Sequence, residues 1–584
     1  MSLIFKNIEN GLLNNSNQKC FARKIKGKWQ FISNKEYIET ANNLAYGLME
    51  LGINREDKVI ILSENRPEWN FVDLALLKLG IVSVPLYATI EDKQLLEILN
   101  ETEAKIIFVS TKFLFRKVNN LLPKARFVKY VYTFNNINDS TNYYDLISLG
   151  KENQKPLELY EIQNTIKPSD IYSILYTSGT TGSAKGVMLT HEGHSIVIDD
   201  IGNRTNVKDG YRTILYLPLN NSFGRTITYM AQIRGLTTYY IDGLATILNY
   251  FQEIKPNFFP TVPILLEKIL NNIISRGEKL KGEAKQYFEK AKNIFDHFID
   301  IDNLSNEEKD IFPIIDEKLF KQWRQILGGE MKVLLTGGAQ VAAELIHFYH
   351  AIGISILSGY GLTETSGLIS ADTYNEMPKA NFCGKKITGM TVKLSDDGEI
   401  LARGKNLMVG YFKHPEITAE TIDKDGWIHT GDIGIIDKDG YIGVIGRKKS
   451  AFKNAAGTFV YPEPIEDILK KSDFIAQALV TGLNKPYLVA LILPDKNFIQ
   501  AWANNYGITS KNIDEIIHHP EVKQSIDDTI NQYNKTKLNK PDMILKYSII
   551  SDEWSVETGE LTPTMKIKRN FVLEKYKKDI EKLY

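Results

Sequence analysis

The feature that most limits the possible folds of this chain is a set of four short, mainly apolar runs in its first third. They are Val59–Leu62, Ile81–Val84, Ile106–Val109 and Phe127–Val131, and a helical stretch from Trp69 to Leu79 separates the first two. Runs without polar alternation are typical of strands buried on both faces of a parallel sheet, with crossover helices between them. The pattern therefore predicts a parallel α/β sheet.

A longer helix precedes these runs. Apolar residues recur at helical spacing from Tyr37 to Leu51, Ser33 or Asn34 can cap the start, and Gly52 can supply a left-handed stop. This stretch therefore predicts one amphipathic helix.

The segment between Leu265 and Phe320 is rich in charged residues and has a helical pattern, which predicts a helical insertion at about residues 265–325. Its lysines would lie outside, and we interpret them as a solvated face rather than a membrane anchor. The candidate inner-face residues are Ile269, Ile273, Phe288, Ile294 and Phe298, and the outer lysines are Lys279, Lys281 and Lys285.

Asp-Gly turns dominate the chain from Gly398 onward and alternate with short β runs such as Ile400–Leu401. Such turns favour hairpins, so this region predicts an antiparallel sheet. A compact α+β pattern follows the polar stretch that ends at Gly457. We place a domain boundary near Lys449, which gives a large domain at residues 1–448 and a small one at 449–584.

Composition excludes several classes of protein. The 584 residues suggest three or four folding units at roughly 150 residues each. Lys plus Arg equals Asp plus Glu at 71 each, so the net charge gives no support for nucleic-acid binding. Cys20 and Cys383 are too few for a disulfide framework or a zinc cluster and fit a reducing cytoplasm. No run approaches the ~18 apolar residues of a spanning helix, and no export signal is evident.

The strongest local signal is a loop rich in Gly, Ser and Thr directly after the strand-like run Ile171–Leu175. Its glycines let a ligand approach the backbone, its hydroxyls and amides are donors, and Lys185 adds a positive charge. Such a loop suits a polyphosphate. It is not a Walker A loop, because Ala184 stands where that motif needs glycine. The loop residues of interest are Thr177, Ser178, Gly179, Thr180, Thr181 and Gly182.

This loop resembles the phosphate signature of the adenylate-forming superfamily, which includes acyl-CoA ligases, luciferases and peptide-synthetase adenylation domains. Further motifs of that superfamily follow in the expected order, and the resemblance covers essentially the whole chain. The sequences at Pro85–Thr89 and Leu561–Thr564 resemble those of the long-chain fatty acyl-CoA synthetases in particular. The further motifs are Gly337–Ala339, Tyr360–Thr365, Thr430–Asp432, Gly446–Lys449 and Pro563–Arg569.

The resemblance implies ATP, Mg²⁺ and CoA as ligands, and it implies residue roles. Thr177 and Glu364 would hold Mg²⁺, and their hard oxygen atoms suit that ion. Tyr360 would stack on adenine. The other residues that this resemblance places around the nucleotide or the acyl group are Gly337, Gly338, Ala339, Gly359, Gly361 and Thr363.

The remaining implied roles fall in the C-terminal third. Asp432 would accept the ribose hydroxyls, with Arg447 near the ribose and phosphate. Lys449 would be the hinge of a mobile lid, while the loop with Lys453 and Gly457 would serve the nucleotide and the pantetheine arm. The implied catalytic residues are Thr180, Lys185, Glu364 and above all Lys566, whose ammonium suits the charge that gathers on a reacting phosphate.

Two departures from the long-chain pattern concern the acyl end of the site. Asn221 stands where His is usual, in the segment with Ser222 and Phe223 that would border the substrate, and Ile264 stands where Arg is common. The length or shape of the acid can therefore differ from that of a usual long-chain enzyme.

We expect an α/β enzyme with a large multi-subdomain N-terminal domain and a small, mobile α+β lid. It would activate a medium- to long-chain fatty acid with ATP and transfer it to CoA. One rival is a fatty acyl-AMP ligase, disfavoured because no long insertion is evident. The other is a non-catalytic nucleotide- or lipid-binding relative, supported by Asn221 alone. The sequence leaves open whether the chain forms a homodimer or touches the inner face of the membrane peripherally.

Overall fold

The structure is a computed structural model that describes residues 3–177, 184–241, 243, 246–338, 341–374, 376–508, 510, 512–562 and 566–584. Two large mixed sheets, a smaller antiparallel sheet and a C-terminal α+β region account for most of this part of the chain. None of the helices described combines the length and apolar character needed to cross a bilayer.

The strands are short and lie mainly in the first 450 residues. In chain order they are β1 (Lys19–Ile25), β2 (Lys28–Ser33), β3 (Lys58–Leu62), β4 (Val82–Leu86), β5 (Ile106–Val109), β6 (Tyr130–Thr133), β7 (Thr141–Asn142), β8 (Ile171–Thr177), β9 (Lys185–Thr190), β10 (Arg212–Leu215), β11 (Thr237–Tyr240), β12 (Phe258–Thr261), β13 (Val333–Gly337), β14 (Ser355–Tyr360), β15 (Ser370–Ala371), β16 (Lys385–Lys386), β17 (Thr391–Leu394), β18 (Glu399–Arg403), β19 (Gly410–Tyr411), β20 (Ile428–Ile436), β21 (Ile442–Arg447), β22 (Phe452–Lys453), β23 (Phe459–Val460), β24 (Ile475–Thr481), β25 (Leu488–Pro494) and β26 (Ile544–Ile549).

The helices cover the sheets and fill the insertion. In chain order they are α1 (Ile4–Asn14), α2 (Asn34–Glu50), α3 (Pro67–Leu79), α4 (Asp92–Thr102), α5 (Lys112–Leu121), α6 (Tyr143–Glu152), α7 (Pro156–Thr165), α8 (His191–Thr205), α9 (Ser222–Ile233), α10 (Ile247–Ile254), α11 (Pro263–Glu278), α12 (Gly282–His297), α13 (Asn306–Ile315), α14 (Lys321–Ile326), α15 (Ala343–Ala351), α16 (Pro415–Thr421), α17 (Pro462–Leu469), α18 (Lys496–Asn505), α19 (Ile513–Ile517), α20 (Pro520–Thr536), α21 (Arg569–Lys575) and α22 (Lys577–Glu581).

An eight-stranded sheet contains the apolar runs of the first third, in the order β19-β9-β8-β4-β3-β5-β6-β7. Its pairs from β8 to β7 are parallel, and β9 and β19 are added antiparallel at one edge. The prediction of a parallel α/β sheet is confirmed. The predicted amphipathic helix is α2, which Ser33 caps by accepting from the Glu36 amide, and Gly52 follows it with φ +69°.

The fourth predicted strand is shifted. The sequence pattern placed it at Phe127–Val131, whereas β6 begins at Tyr130 and pairs with β5 from Ile106 onward. Just before the two strands the Lys129 amide donates to the Lys105 carbonyl at 2.8 Å, and the paired residues of the ladder begin at Tyr130. Phe127 is exposed, so its apolar character did not mark a buried strand.

A nine-stranded sheet has the order β16-β15-β14-β13-β12-β10-β11-β1-β2, parallel in its centre and antiparallel toward its edges. The helical insertion packs beside it as α11 to α14, with a π-helical turn at Asp316–Phe320. All five residues predicted for the inner face of the insertion are buried. The insertion is therefore confirmed, with a core of its own that is continuous with α15 and β13.

Strands β17-β18-β20-β21 form the predicted antiparallel sheet, and the turns at Gly398, Gly426 and Gly440 all have positive φ. The C-terminal region has a three-stranded sheet, β24-β25-β26, packed against α17, α18 and α20. This matches the expected small α+β domain. The boundary near Lys449, in the turn between β21 and β22, stays a prediction.

A fully buried ion pair joins the two large sheets. Arg225 in α9, the helix that follows β10 of the nine-stranded sheet, lies 2.5 Å from Asp73 of α3. Its guanidinium also donates to Ser173 of β8 at 2.6 Å and to Ser83 of β4 at 3.1 Å, both in the eight-stranded sheet. Tyr229 donates to the second carboxylate oxygen of Asp73 at 2.5 Å. Every charged atom in this network therefore has a partner.

We predict that Asp73→Asn destabilises the N-terminal domain by about 3–5 kcal/mol, because it leaves the Arg225 charge buried without a counter-ion. Chemical denaturation followed by tryptophan fluorescence would measure this loss, since Trp69 lies against Arg225. Lys35→Met is the control: it breaks the exposed pair between Lys35 and Glu39 and should change stability very little. Equal, small effects of both variants would contradict the importance of the pair.

Candidate active site

The candidate site lies where several strands of the large sheets end. Thr177 ends β8, Gly337 ends β13 and Tyr360 ends β14. In open α/β sheets, ligands bind in the crevice at the carboxyl ends of the parallel strands. The fold therefore gathers three predicted motifs at such ends. Ser178, Gly179, Thr180, Thr181, Gly182 and Ala339, which the sequence also predicts for the site, lie outside the described residues.

A buried carboxylate forms the centre of the described site. Asp432 in β20 stands opposite Arg447 in β21, and their ion pair measures 2.9 Å from Nε to Oδ1. Tyr360 donates its hydroxyl to Oδ2 at 2.7 Å. Burial raises the pKa of Asp432, while Arg447, Tyr360 and Lys566 oppose this shift. The structure thus brings these four predicted site residues together.

Lys566 reaches this cluster from the C-terminal domain. Its side chain keeps contact with solvent, yet the surrounding protein lowers the pKa of its ammonium group. Arg447 lowers that pKa further by repulsion, and Asp432 raises it by attraction. The backbone of Lys566 exchanges two hydrogen bonds with Thr562, at 2.8 and 3.1 Å, which tie these two residues together. A cation of the C-terminal domain therefore acts electrostatically on a carboxylate of the N-terminal domain.

The two cations after Lys566 have different surroundings. Arg569 is mostly buried and makes a two-pronged contact with Glu466 of α17, at 2.6 Å to each carboxylate oxygen. Lys568 lies 3.8 Å from Glu91, which precedes α4 in the N-terminal domain. Arg569 thus binds within its own domain, whereas the half-exposed Lys568 lies near a carboxylate of the N-terminal domain. Sequence alone showed these three only as one basic cluster.

Glu364 and Lys185 lie on either side of an aromatic residue that the sequence analysis missed. Tyr411 in β19 donates its hydroxyl to Oε1 of Glu364 at 2.8 Å. The Lys185 ammonium lies 5.3 Å from the centre of the same ring, a cation–π contact. Strand β9 positions Lys185 opposite Thr177 of β8, and β19 pairs with β9 two residues further on. The only sequence signal was an isolated Gly-Tyr pair outside the motifs that we quoted.

The predicted substrate residues lie at the start of α9. Asn221 caps this helix, since its side-chain oxygen accepts the Phe223 amide at 2.8 Å. Asn is among the preferred N-cap residues, so it serves a local purpose here. Ser222 is buried, and Phe223 lies so close to Gly337 that a Cβ on Gly337 would be 3.5 Å from the ring. This segment therefore borders the end of β13.

Glycine is required where the motif after β14 turns. A Cβ on Gly361 would come within 2.5 Å of the Gly367 carbonyl, so no side chain fits there. Gly338 has φ +84°, a conformation that favours glycine. Gly359 lies in β14, where a Cβ would touch Leu368 at 3.0 Å. Thr363 begins the short 3₁₀ turn that carries Glu364.

The predicted hinge and the predicted CoA loop follow Arg447 along the chain. Lys449 is exposed in a turn, and Lys453 lies in the β22–β23 hairpin with its ammonium 4.8 Å from the centre of the Phe459 ring. Gly457 is exposed in the turn of that hairpin, at φ +78°. Within the described part of the chain, neither Lys453 nor Gly457 makes a hydrogen bond or ion pair with Asp432 or Glu364.

Comparison with known proteins gives the class to which this fold and site correspond: AMP-binding enzymes with a separate C-terminal domain. The sequence profile described as "AMP-binding enzyme" matches residues 13–412, and that of the "AMP-binding enzyme C-terminal domain" matches residues 454–584. The chain belongs to the AMP-binding enzyme family. The resemblance drawn from its motifs is confirmed.

Relatives match over nearly the full length. The long-chain-fatty-acid–CoA ligase FadD15 of Mycobacterium bovis is 31% identical over 575 residues, 97% of this chain and 94% of the relative. Human long-chain-fatty-acid–CoA ligase 1 is 28% identical, over 100% of this chain and 87% of its own length.

Solved structures share the fold. The anthranilate CoA ligase AuaEII in complex with anthranoyl-AMP superposes with a TM-score of 0.74 at 18% identity, covering 99% of this chain and 98% of that one. For a Mycobacterium tuberculosis fatty acyl CoA synthetase the TM-score is 0.60 at 20% identity, with 98% of each chain covered. The expected α/β fold with a small C-terminal domain is confirmed.

Proposed function

We propose that this chain is an ATP- and Mg²⁺-dependent fatty acid–CoA ligase. It converts a medium- to long-chain acid to an acyl-adenylate with release of pyrophosphate, then transfers the acyl group to CoA with release of AMP. One observation carries the proposal: Asp432 is buried and bonded to Arg447 and Tyr360, and Lys566 of the C-terminal domain lies near enough to lower the pKa of that carboxylate. The full-length similarity to long-chain-fatty-acid–CoA ligases supports the substrate class.

In the first step a carboxylate oxygen of the acid attacks the α-phosphorus of ATP, and the bond from that phosphorus to the bridging oxygen of pyrophosphate breaks. Negative charge builds up on the α-phosphate and the leaving group. Lys566 and Arg447 supply positive charge there, and Lys185 supplies it at the phosphate loop. Preorganised charges of this kind lower the barrier because they need no reorientation during the reaction.

Asp432 suits the binding of the ribose. Its carboxylate is buried but aligned by Tyr360 and Arg447, so it is held ready to accept two hydroxyl donors. The ring of Tyr360 ends β14 and is available to pack on the adenine. These two residues would orient the nucleotide so that its α-phosphate lies toward Lys566.

The donor set suits a magnesium ion that is bound together with the nucleotide. Oε1 of Glu364 accepts from Tyr411, whereas Oε2 has no hydrogen bond or ion pair among the described residues. Thr177 adds a hydroxyl at the end of β8. No group of three or more His, Cys, Asp or Glu side chains in the described part of the chain could hold a metal, and Mg²⁺ commonly needs only one or two protein ligands plus phosphates. When bound, the ion would offset phosphate charge.

The second step needs no protein nucleophile. The CoA sulfur attacks the acyl carbonyl of the adenylate, and AMP leaves with the electrons of the broken carbon–oxygen bond. Cys20 and Cys383 are both buried, and burial raises the pKa of each thiol, which makes them poor nucleophiles. We infer that the lid turns about Lys449 between the steps, which would bring the loop with Lys453 and Gly457 to the CoA side.

The location of the protein, its oligomeric state and any contact with a membrane surface do not enter this proposal. The cytoplasmic location inferred from the cysteine content stays a prediction. The medium to long chain length of the acid also stays a prediction. Asn221 and Ile264, which depart from the usual long-chain pattern, are expected to affect this length through the acyl end of the site.

We predict that the purified protein converts ATP to AMP and pyrophosphate only when a fatty acid and Mg²⁺ are present, and that CoA is consumed in equal amount. Product mass spectrometry with acids from acetate to long-chain and aromatic ones would measure this and identify the preferred acid. Acyl-adenylate that accumulates while the CoA present is left unused would favour the fatty acyl-AMP ligase instead. Release of ADP and phosphate would contradict the assignment.

Lys566→Ala should slow acyl-adenylate formation by roughly 10²- to 10³-fold, by analogy with the loss of one oxyanion donor. Reaction of supplied acyl-adenylate with CoA should continue, because Lys566 acts on the phosphate only in the first step. Lys568→Ala is the matched control: it removes a half-exposed lysine two residues away and should keep most of both rates. Single-turnover kinetics of each half-reaction would decide. Equal adenylation rates in the two variants would show that Lys566 has been given the wrong role.

Lys449→Pro should leave adenylation largely intact but block thioester formation, because proline fixes one backbone torsion at the proposed pivot. The Lys449 amide makes no backbone hydrogen bond to any described residue, so proline removes none of those. Lys449→Ala, which removes the charge but leaves the torsion unrestricted, should keep both rates. The same two half-reaction assays apply, and an equal loss of both half-reactions in Lys449→Pro would place the hinge elsewhere.

A further inference from the structure

Tyr411 lies between two groups of the nucleotide site that belong to different parts of the chain. Glu364 follows β14 of the nine-stranded sheet, whereas Lys185 begins β9 of the eight-stranded sheet. The Tyr411 hydroxyl donates to Oε1 of Glu364 at 2.8 Å, and the face of its ring lies under the Lys185 ammonium at 5.3 Å. One side chain thus contacts both an acid and a base of the site.

The position of Tyr411 is itself firmly held. Its side chain is 8% exposed. Strand β19 is bonded to β9 through the amides of Val409 and Phe412, at 3.0 and 2.7 Å, and the Tyr411 amide donates to Thr418 at 2.8 Å. The Met408 amide donates to the Glu364 carbonyl at 2.8 Å, so the backbones of the two segments are also joined. The ring therefore provides a fixed reference point for both of its partners.

We propose that Tyr411 is a positioning residue of the metal–nucleotide site. Its hydroxyl holds one oxygen of Glu364 and leaves the other, Oε2, directed to the metal ion, while its ring holds Lys185 toward the phosphates. The inference rests on the proposed function, in which Glu364 is a magnesium ligand and Lys185 a phosphate contact. Tyr411 does not touch the reacting atoms and acts only through these two residues.

The two contacts can be separated by substitution. Tyr411→Phe removes the hydroxyl and keeps the ring, so it should affect Glu364 alone. Tyr411→Leu removes both contacts. Partners that orient a metal ligand commonly contribute roughly 10- to 100-fold in metal affinity. We therefore expect Tyr411→Phe to weaken binding of the metal–nucleotide complex by about tenfold or more, without weakening binding of the nucleotide alone.

The measurement is calorimetric binding of α,β-methylene-ATP, whose methylene bridge prevents transfer of the adenylyl group, to the full-length protein with Mg²⁺ and again with EDTA. Tyr411→Phe should lower affinity only with Mg²⁺, and Tyr411→Leu should lower it in both conditions. Tyr441→Phe is the matched control, since it removes another hydroxyl-to-carboxylate bond, 3.2 Å long, to Glu376. It should leave both affinities unchanged.

A double-mutant cycle makes the test specific. In a Glu364→Gln background, Tyr411→Phe should have no further effect on the Mg²⁺-dependent affinity, because its only route to the metal is gone. An unchanged affinity in Tyr411→Phe, or an equal loss with Mg²⁺ and with EDTA, would overturn the inference. If the wild-type protein itself showed no Mg²⁺-dependent nucleotide binding, the proposed metal site would fail instead, and the two failures are thereby distinguished.

Discussion

The buried ion pair between Arg225 and Asp73 is the contact on which the geometry of the active site depends. Helix α9, which carries Arg225, is capped by Asn221, in the segment that we predict to border the acid. Strand β8, which carries its partner Ser173, ends at Thr177 and leads into the phosphate loop. Because the Arg225 guanidinium links these two elements, helix α9 and strand β8 are held together. A buried charge of this kind persists only when all its hydrogen bonds are satisfied.

The second organising feature is the meeting of charges from two domains. Asp432 is aligned by Tyr360 and Arg447 within the large domain, and Lys566 is brought to it by the small one. Arg569, three residues after Lys566, is bonded to Glu466 of α17, which ties this part of the chain to its own domain. Catalysis of phosphoryl chemistry depends mainly on such placement of charge. The proposed reaction centre would accordingly use charges from both domains.

The fold was predictable where its physical signal is local. Unbroken apolar runs predicted β3, β4 and β5, a helical period with a serine cap predicted α2, and Asp-Gly turns predicted the antiparallel sheet. The strand predicted at Phe127 was displaced, because its start is set by pairing with β5 rather than by its own residues. Strand pairing is a non-local property, and a single segment does not contain it.

The sequence by itself determined the class of protein and predicted the residues of the site, because each motif that points to them is a contiguous stretch of the chain. Only the tertiary structure decided which residues support them. Tyr411 lies outside those motifs, and pairing of β19 with β9 is what brings it to Glu364 and Lys185. The structure likewise separated Lys566, Lys568 and Arg569, which look alike in the sequence, because each side chain meets a different partner once the domains are packed.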